Sequence, residues 1–150
     1  MVLAVRSVFN KLDFTQLVPY FQVVLSALLG GFIGLEREHV GKSAGTRTYS
    51  LVAIGSTLFT IISLKGFGSE GVVIDPSRVA AQVVTGIGFL GAGLIIHRGS
   101  RVRGLTTAAA MWAVSAIGVA VGVGFYLEAV FSALLIFFVL YILGRTMKME

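Results

Sequence analysis

From Val79 to Ile96 the chain runs eighteen residues without a charge and with four glycines, Gly86, Gly88, Gly91 and Gly93. As a helix this stretch covers roughly 27 Å at about 1.5 Å per residue, close to the hydrocarbon thickness of a bilayer. A soluble helix of that length needs a polar face, and none is present. Each glycine would also cost a helix in water about 1 kcal/mol relative to alanine. In lipid, small residues let helix backbones approach closely. The segment therefore reads as a membrane span, and as the packing hub of a bundle of such spans.

Four more spans can be drawn. The first runs from about Leu17 to Leu35 and the second from about Thr48 to Leu64. The charge-free stretch Gly104–Leu127, then Glu128, then a further apolar run to Gly144 is too long for one crossing. Gly122-Val123-Gly124 is the natural place for the chain to reverse, giving spans near Leu105–Val121 and Phe125–Leu143. The expected fold is all-α: a polytopic membrane protein with five transmembrane helices in a glycine-packed bundle. Composition agrees, with 13% charged residues against roughly 25% in soluble domains.

Lys and Arg set the orientation. Arg37, Lys42, Arg47, Arg98, Arg101, Arg103, Arg145 and Lys148 fall on one side, while Arg6, Lys11, Lys65 and Arg78 fall on the other. The richer side belongs in the cytoplasm, which puts the N-terminus out and the C-terminus in. Tyr20 and Tyr126 then mark the outer boundary, and Tyr49 and Tyr141 the inner one. Residues 1–16 form an interfacial N-terminal segment, with Val5, Val8, Phe9 and Leu12 on one helical face. Residues 17–144 are the transmembrane domain and 145–150 a cytoplasmic tail. The net charge of +5 is scattered through short gaps, so nucleic acid is not an expected partner. There is no cysteine, which excludes disulfides and thiolate chemistry.

Small residues recur at helical spacing. Ser26, Gly30 and Gly34 do so in the first span, Gly118 and Gly122 in the fourth, and Ala81, Thr85, Gly88 and Ala92 in the third. These stripes are the expected helix contacts, together with Gly86, Gly91 and Gly93. Residues 86–91 match a dinucleotide-binding fingerprint by letter, but mid-span amides are already hydrogen-bonded and cannot hold a pyrophosphate. The fifth span lacks glycine before Gly144 and is expected at the lipid-facing periphery.

Candidate chemistry lies mostly at span ends. Asp75-Pro76 is a helix start in which Asp75 accepts from first-turn amides and Arg78 reaches back to it; Asp75 could alternatively bind a cation. Gln82 and Thr85 are expected to bond another helix. On the arginine-rich side, Arg47-Thr48 and Arg103-Gly104-Leu105-Thr106-Thr107 each open an inward-starting helix, whose free amides favour an anion. Ordinary positive-inside charge with threonine caps touching lipid phosphates is the plainer account. Glu36 could pair with Arg47 or Arg103. His39 and His97 lack a second ligand at metal spacing. With no nucleophile–base pair, the chain is not expected to be an enzyme.

The same segments resemble the MgtC/SapB family of membrane proteins. The pieces are Gly-Phe-Ile-Gly-Leu-Glu-Arg-Glu at 31–38, Ala-Gly-Thr-Arg-Thr at 44–48, Asp-Pro-Ser-Arg-Val-Ala-Ala-Gln at 75–82 running on to Gly93, and Val-Arg-Gly-Leu-Thr-Thr-Ala-Ala at 102–109 with Trp112. The resemblance covers roughly residues 20–143. It implies a multi-pass inner-membrane protein tied to magnesium limitation, acid stress and survival of pathogens in host cells. It also implies regulation of other membrane machinery, ATP synthase included. The family's motif positions fall on Glu36, Arg37, Arg47, Thr48, Asp75, Arg78, Gln82, Arg103, Thr106 and Thr107. Many members carry a soluble C-terminal domain that this sequence does not include.

Two functions of different class follow as expectations. One is a non-enzymatic regulator working through a homo-oligomer or another membrane complex. The other is a magnesium transporter, for which Glu36 and Asp75 are the candidate ligands of Mg²⁺. No other cofactor is evident.

Overall fold

The structure is a computed structural model that describes residues 14–67, 75, 77–99 and 101–144. Most of the expected interfacial segment, the 145–150 tail and Pro76 lie outside the described residues. Five helices are long and apolar enough to cross a membrane. They are α1 (Phe14–His39), α2 (Thr46–Lys65), α3 (Ser77–Leu94), α4 (Leu105–Val123) and α5 (Tyr126–Phe138), the last continued by a π-helical turn over Val139–Leu143. Between α3 and α4 lies a small antiparallel hairpin, β1 (Ile96–Arg98) and β2 (Arg101–Arg103). An all-α expectation therefore needs one correction: the loop before α4 pairs its own backbone. Span three correspondingly ends at Leu94 rather than Ile96.

The 26 residues of α1 extend roughly 39 Å, about 9 Å more than a typical hydrocarbon core. Glu36, Arg37 and Glu38, which lie beyond the expected end of the first span at Leu35, ride on this excess length. Gly41 then ends the helix in a left-handed conformation, φ +67°. Gly41 N–H donates to the Glu38 carbonyl at 3.0 Å, and Lys42 N–H to the Arg37 carbonyl at 3.0 Å. This paired closure satisfies carbonyls that the helix end would leave bare. The α4–α5 turn repeats it: Gly124 has φ +99°, and Phe125 N–H reaches the Ala120 carbonyl at 2.9 Å.

The amphipathicity of α2 is inverted relative to a soluble helix. Its buried residues are Tyr49, Ala53, Ser56, Thr57, Thr60 and Ser63, while Leu51, Leu58, Phe59, Ile62 and Leu64 are exposed. In water this arrangement would waste the hydrophobic effect. In lipid it is favourable, because polar groups must find partners inside the protein. Thr57 Oγ1 donates across to the Gly118 carbonyl at 2.8 Å, and Ser50 Oγ to the Ala27 carbonyl at 3.1 Å.

Helices α1, α2 and α4 meet at very short range. A Cβ placed on Gly30 would lie 2.7 Å from the Tyr49 carbonyl oxygen, and one on Gly34 only 2.6 Å from Thr46 Cα. On α4, a Cβ at Gly118 would come 2.5 Å from the Ala53 carbonyl oxygen, and at Gly122 2.6 Å from Thr60 Cβ. The expected hub, α3, is not the centre of this chain. Only 17% of its span is buried, against 56% for α4. A Cβ on Gly91 would lie 3.6 Å from Ala108 Cβ, but nothing described lies within 4 Å of where a Cβ would stand on Gly86, Gly88 or Gly93. The α5 span, also 17% buried, leans on α1 through the stacked rings of Phe32 and Phe137, 4.4 Å apart.

Candidate functional site at the arginine-rich end

Successive helices alternate in direction, so one end of the bundle gathers the C-terminal turns of α1, α3 and α5 and the first turns of α2 and α4. At its centre sit Glu36 and Arg37, with 8% and 3% of their surface exposed. The Arg37 guanidinium closes on the neighbouring carboxylate with two donors: Nε to Oε2, and Nη2 to Oε1 at 2.6 Å. Nη2 also donates to the Leu140 carbonyl at 3.4 Å, inside the π-helical turn. The expected pairing of Glu36 with Arg47 or Arg103 does not form. Adjacency decides this: the two side chains bend over one another in a space sealed by α5, while Arg47 and Arg103 point to the exposed surface.

Tyr49 is fully buried, and its hydroxyl donates to the Thr107 carbonyl at 3.1 Å, tying the first turn of α2 to that of α4. The sequence placed this tyrosine in an interfacial belt; it is instead a core ligature. Thr107 is buried, whereas Thr48 and Thr106 are exposed.

The two helix starts differ in what they hold. At α2, Glu38 Oε2 accepts from Thr46 N–H at 3.1 Å. The chain's own carboxylate thus occupies the place proposed for an external anion. A side chain at Gly45 would strike that carboxylate, 2.8 Å from its Oε2. At α4 the helix is preceded by Gly104 with φ +90° and no side-chain cap. A Cβ there would fall 2.0 Å from the Leu94 carbonyl oxygen. Glycine is thus required on two counts, conformation and space.

The remaining candidates lie elsewhere. Asp75 precedes α3 at the opposite end from Glu36, exposed, with Oδ1 accepting from Ser77 N–H at 2.9 Å and Ser77 Oγ at 2.7 Å. Those hydrogen bonds hold its carboxyl below the ordinary value. Ser77 rather than Arg78 is its side-chain partner; Arg78 gives a backbone N–H to the Asp75 carbonyl at 3.4 Å. Gln82 is exposed along an apolar groove of about 630 Å³ between α2 and α3. Thr85 bonds back to Ala81 within its own helix at 3.4 Å, not to a neighbour. Glu36 and Asp75 do not converge, and among the described residues no three His, Cys, Asp or Glu groups gather as a metal site.

Gln22 was not a sequence candidate. It is 4% exposed and donates to the Val121 and Gly122 carbonyls at 2.8 and 3.1 Å. A lone amide in the first span was the available signal, since such a group needs an internal partner in lipid.

The family model described as the MgtC family matches residues 23–149. The chain is 46% identical over 123 residues to a protein of Escherichia coli K12 named "Putative magnesium transporter YhiD", covering 79% of this chain and 57% of that one. It is 47% identical over 109 residues to Protein MgtC of Brucella abortus, covering 73% and 44%. Protein MgtC of Salmonella typhimurium is 44% identical over 119 residues, covering 79% and 49%. The chain thus spans about half the length of the curated relatives it matches. No solved structure matches it.

Proposed function

The chain belongs to the MgtC family, and on that premise we propose that it is a non-enzymatic regulator of the cell inner membrane, acting by docking against another membrane protein. The setting is adaptation to magnesium limitation, acid stress or life inside a host cell. The partner is a second copy of the chain or a larger complex such as ATP synthase. The arginine-rich end faces the cytoplasm, following the bias of Lys and Arg.

One observation carries this reading. Gly86, Gly88 and Gly93 stand on α3 with no described atom within 4 Å of a would-be Cβ. Each costs its helix up to about 1 kcal/mol relative to alanine, and no contact among the described residues offsets it. A helix from a neighbouring protein would, by close backbone approach. Leucine at Gly86, Gly88 or Gly93 leaves the bundle folded and abolishes cross-linking or co-purification with the partner. Variants that fold and retain every partner refute the proposal.

The name of the Escherichia coli relative favours a second reading, magnesium transport. Its requirements are oxygen ligands along a path. Of the two candidate ligands, Glu36 is already engaged by Arg37, which leaves a ring of Asp75 from several copies. Magnesium uptake into vesicles by the purified chain, lost in Asp75→Asn, would reverse the ranking.

A further inference from the structure

Gln82 is a polar group in a span that no neighbour answers. The 18 residues of α3 extend roughly 27 Å, less than a typical hydrocarbon core, so a position five residues past Ser77 lies within the apolar layer. The Gln82 side chain is exposed and forms no hydrogen bond with any described residue. Thr85, by contrast, bonds its own helix at Ala81. An amide in lipid needs a partner that offers both a donor and an acceptor.

Three further residues share its face. Gln82, Gly86, Phe89 and Gly93 follow one another at spacings of four, three and four. On a helix they fall within about 60° of arc, the pattern of a seam between paired helices. All four are exposed, Phe89 at 80%. No described atom lies within 4 Å of a Cβ on Gly86 or Gly93, so the Phe89 ring stands as a knob flanked by two open hollows. Beside this face runs the groove between α2 and α3. Its α2 wall extends from Thr48 to Phe59, roughly 17 Å or three helical turns. Gly55 on that wall is as open as Gly86 on the other.

We infer that this face is a self-association seam, in which α3 of a second copy lies in the groove and the first α3 lies in the groove of the second. The inference rests on the docking role proposed above and names the partner that occupies α3. Copies inserted in the same direction are related by a two-fold axis along the membrane normal, which brings equal residue numbers to equal depth. Gln82 of each copy then meets the same amide, donor to acceptor and acceptor to donor. Each Phe89 ring fits between the two glycines of the facing helix. An acyl chain fills an apolar groove but offers an amide nothing and is indifferent to a Cβ. An unrelated helix would need its own amide at the matching depth, which a second copy carries by symmetry.

The chain has no cysteine, so single-cysteine variants report one position each. Gly86→Cys, Phe89→Cys, Gly93→Cys, Val84→Cys and Phe131→Cys are oxidised in the membranes of expressing cells, where all copies point the same way. Disulfide-linked dimer forms at positions 86, 89 and 93. It does not form at Val84, on the opposite side of α3, or at Phe131 on α5, although these are 46% and 67% exposed. In a second measurement, dye-labelled Lys42→Cys protein with an unaltered α3 shows energy transfer between copies in detergent micelles, lost on dilution into excess micelles. Gln82→Leu weakens this association about tenfold, and Gln82→Asn, which keeps an amide, weakens it less. Absence of energy transfer with α3 unaltered overturns the inference without any α3 variant having to fold. Dimer cross-linked equally at Val84 or Phe131, or association unmoved by Gln82→Leu, overturns it too. A chain that does not self-associate but loses a different membrane protein in Gly86→Leu overturns it in favour of that partner and leaves the proposed function standing. A monomer that retains its lipid and every co-purifying protein in Gly86→Leu refutes both.

Discussion

Replacing Glu36 by leucine would leave Arg37 charged, 4% exposed at its side chain, and holding only the Leu140 carbonyl at 3.4 Å. Breaking a buried ion pair from one side typically costs about 3–5 kcal/mol, because the remaining charge is desolvated without compensation. At about 1.4 kcal/mol per decade this is roughly two to four powers of ten in the unfolding equilibrium. Arg37→Leu should cost a similar amount, since it strips both donors from the carboxylate. The double variant E36L/R37L removes both charges and both desolvation penalties, and should lie near the wild type or above it. Reversible unfolding in mixed micelles of increasing sodium dodecyl sulfate fraction, followed by circular dichroism, measures all four proteins. The signature is strong non-additivity, with the double variant far more stable than the two single losses predict. A double variant that loses the sum of the singles would refute the reasoning. It would mean that each residue is held by separate contacts and that the pair is not a unit.

Two other outcomes follow from the same geometry. Gly104→Ala should cost clearly more than Gly41→Ala: both carry positive φ, worth about 1–2 kcal/mol, but only at Gly104 does a Cβ meet backbone, 2.0 Å from the Leu94 carbonyl oxygen. Equal losses in the same unfolding assay would contradict this. Asp75 titrates below its ordinary value because Ser77 donates two hydrogen bonds to its carboxylate. Its contribution to the start of α3 is therefore complete above the usual carboxylate range and disappears as pH falls through the lowered value. Nuclear magnetic resonance of the Ser77 amide should show this depressed midpoint, and Ser77→Ala should raise it.

The five crossings were legible because a membrane span is written in the most redundant signal a sequence has, a long run without charge. Gly124 at the reversal before α5 was legible for a similar reason, since a left-handed turn demands glycine. What escaped the sequence was pairing. Glu36 had several arginine candidates, and the fold leaves it to the adjacent Arg37 by burying that pair while Arg47 and Arg103 stay exposed. Tyr49 looked like a belt residue because its chemistry suits both an interface and a buried hydroxyl bond. The role of α3 was misjudged because a glycine stripe announces close packing without naming the partner. Those of α1 and α4 are spent on α2, whereas Gly86, Gly88 and Gly93 find nothing in the described chain. The hairpin was hidden because three-residue strands rich in arginine carry no alternation long enough to detect.

Three hydrogen bonds between residues far apart in sequence bear on how the molecule is made. Gln22 on α1 closes over carbonyls at the far end of α4, 99 and 100 positions along the chain, and Arg37 reaches a carbonyl 103 positions away. A ribosome that has delivered only the first two helices has therefore produced an amide whose carbonyl acceptors are not yet synthesised, and a guanidinium that holds Glu36 but still lacks the Leu140 carbonyl. Until the last hairpin of helices arrives, those donors must be parked against water, lipid headgroups or an insertion chaperone. Assembly is thus completed from the tail backwards, and a ribosome stalled before residue 140 would expose its incompleteness on the helix that emerged first.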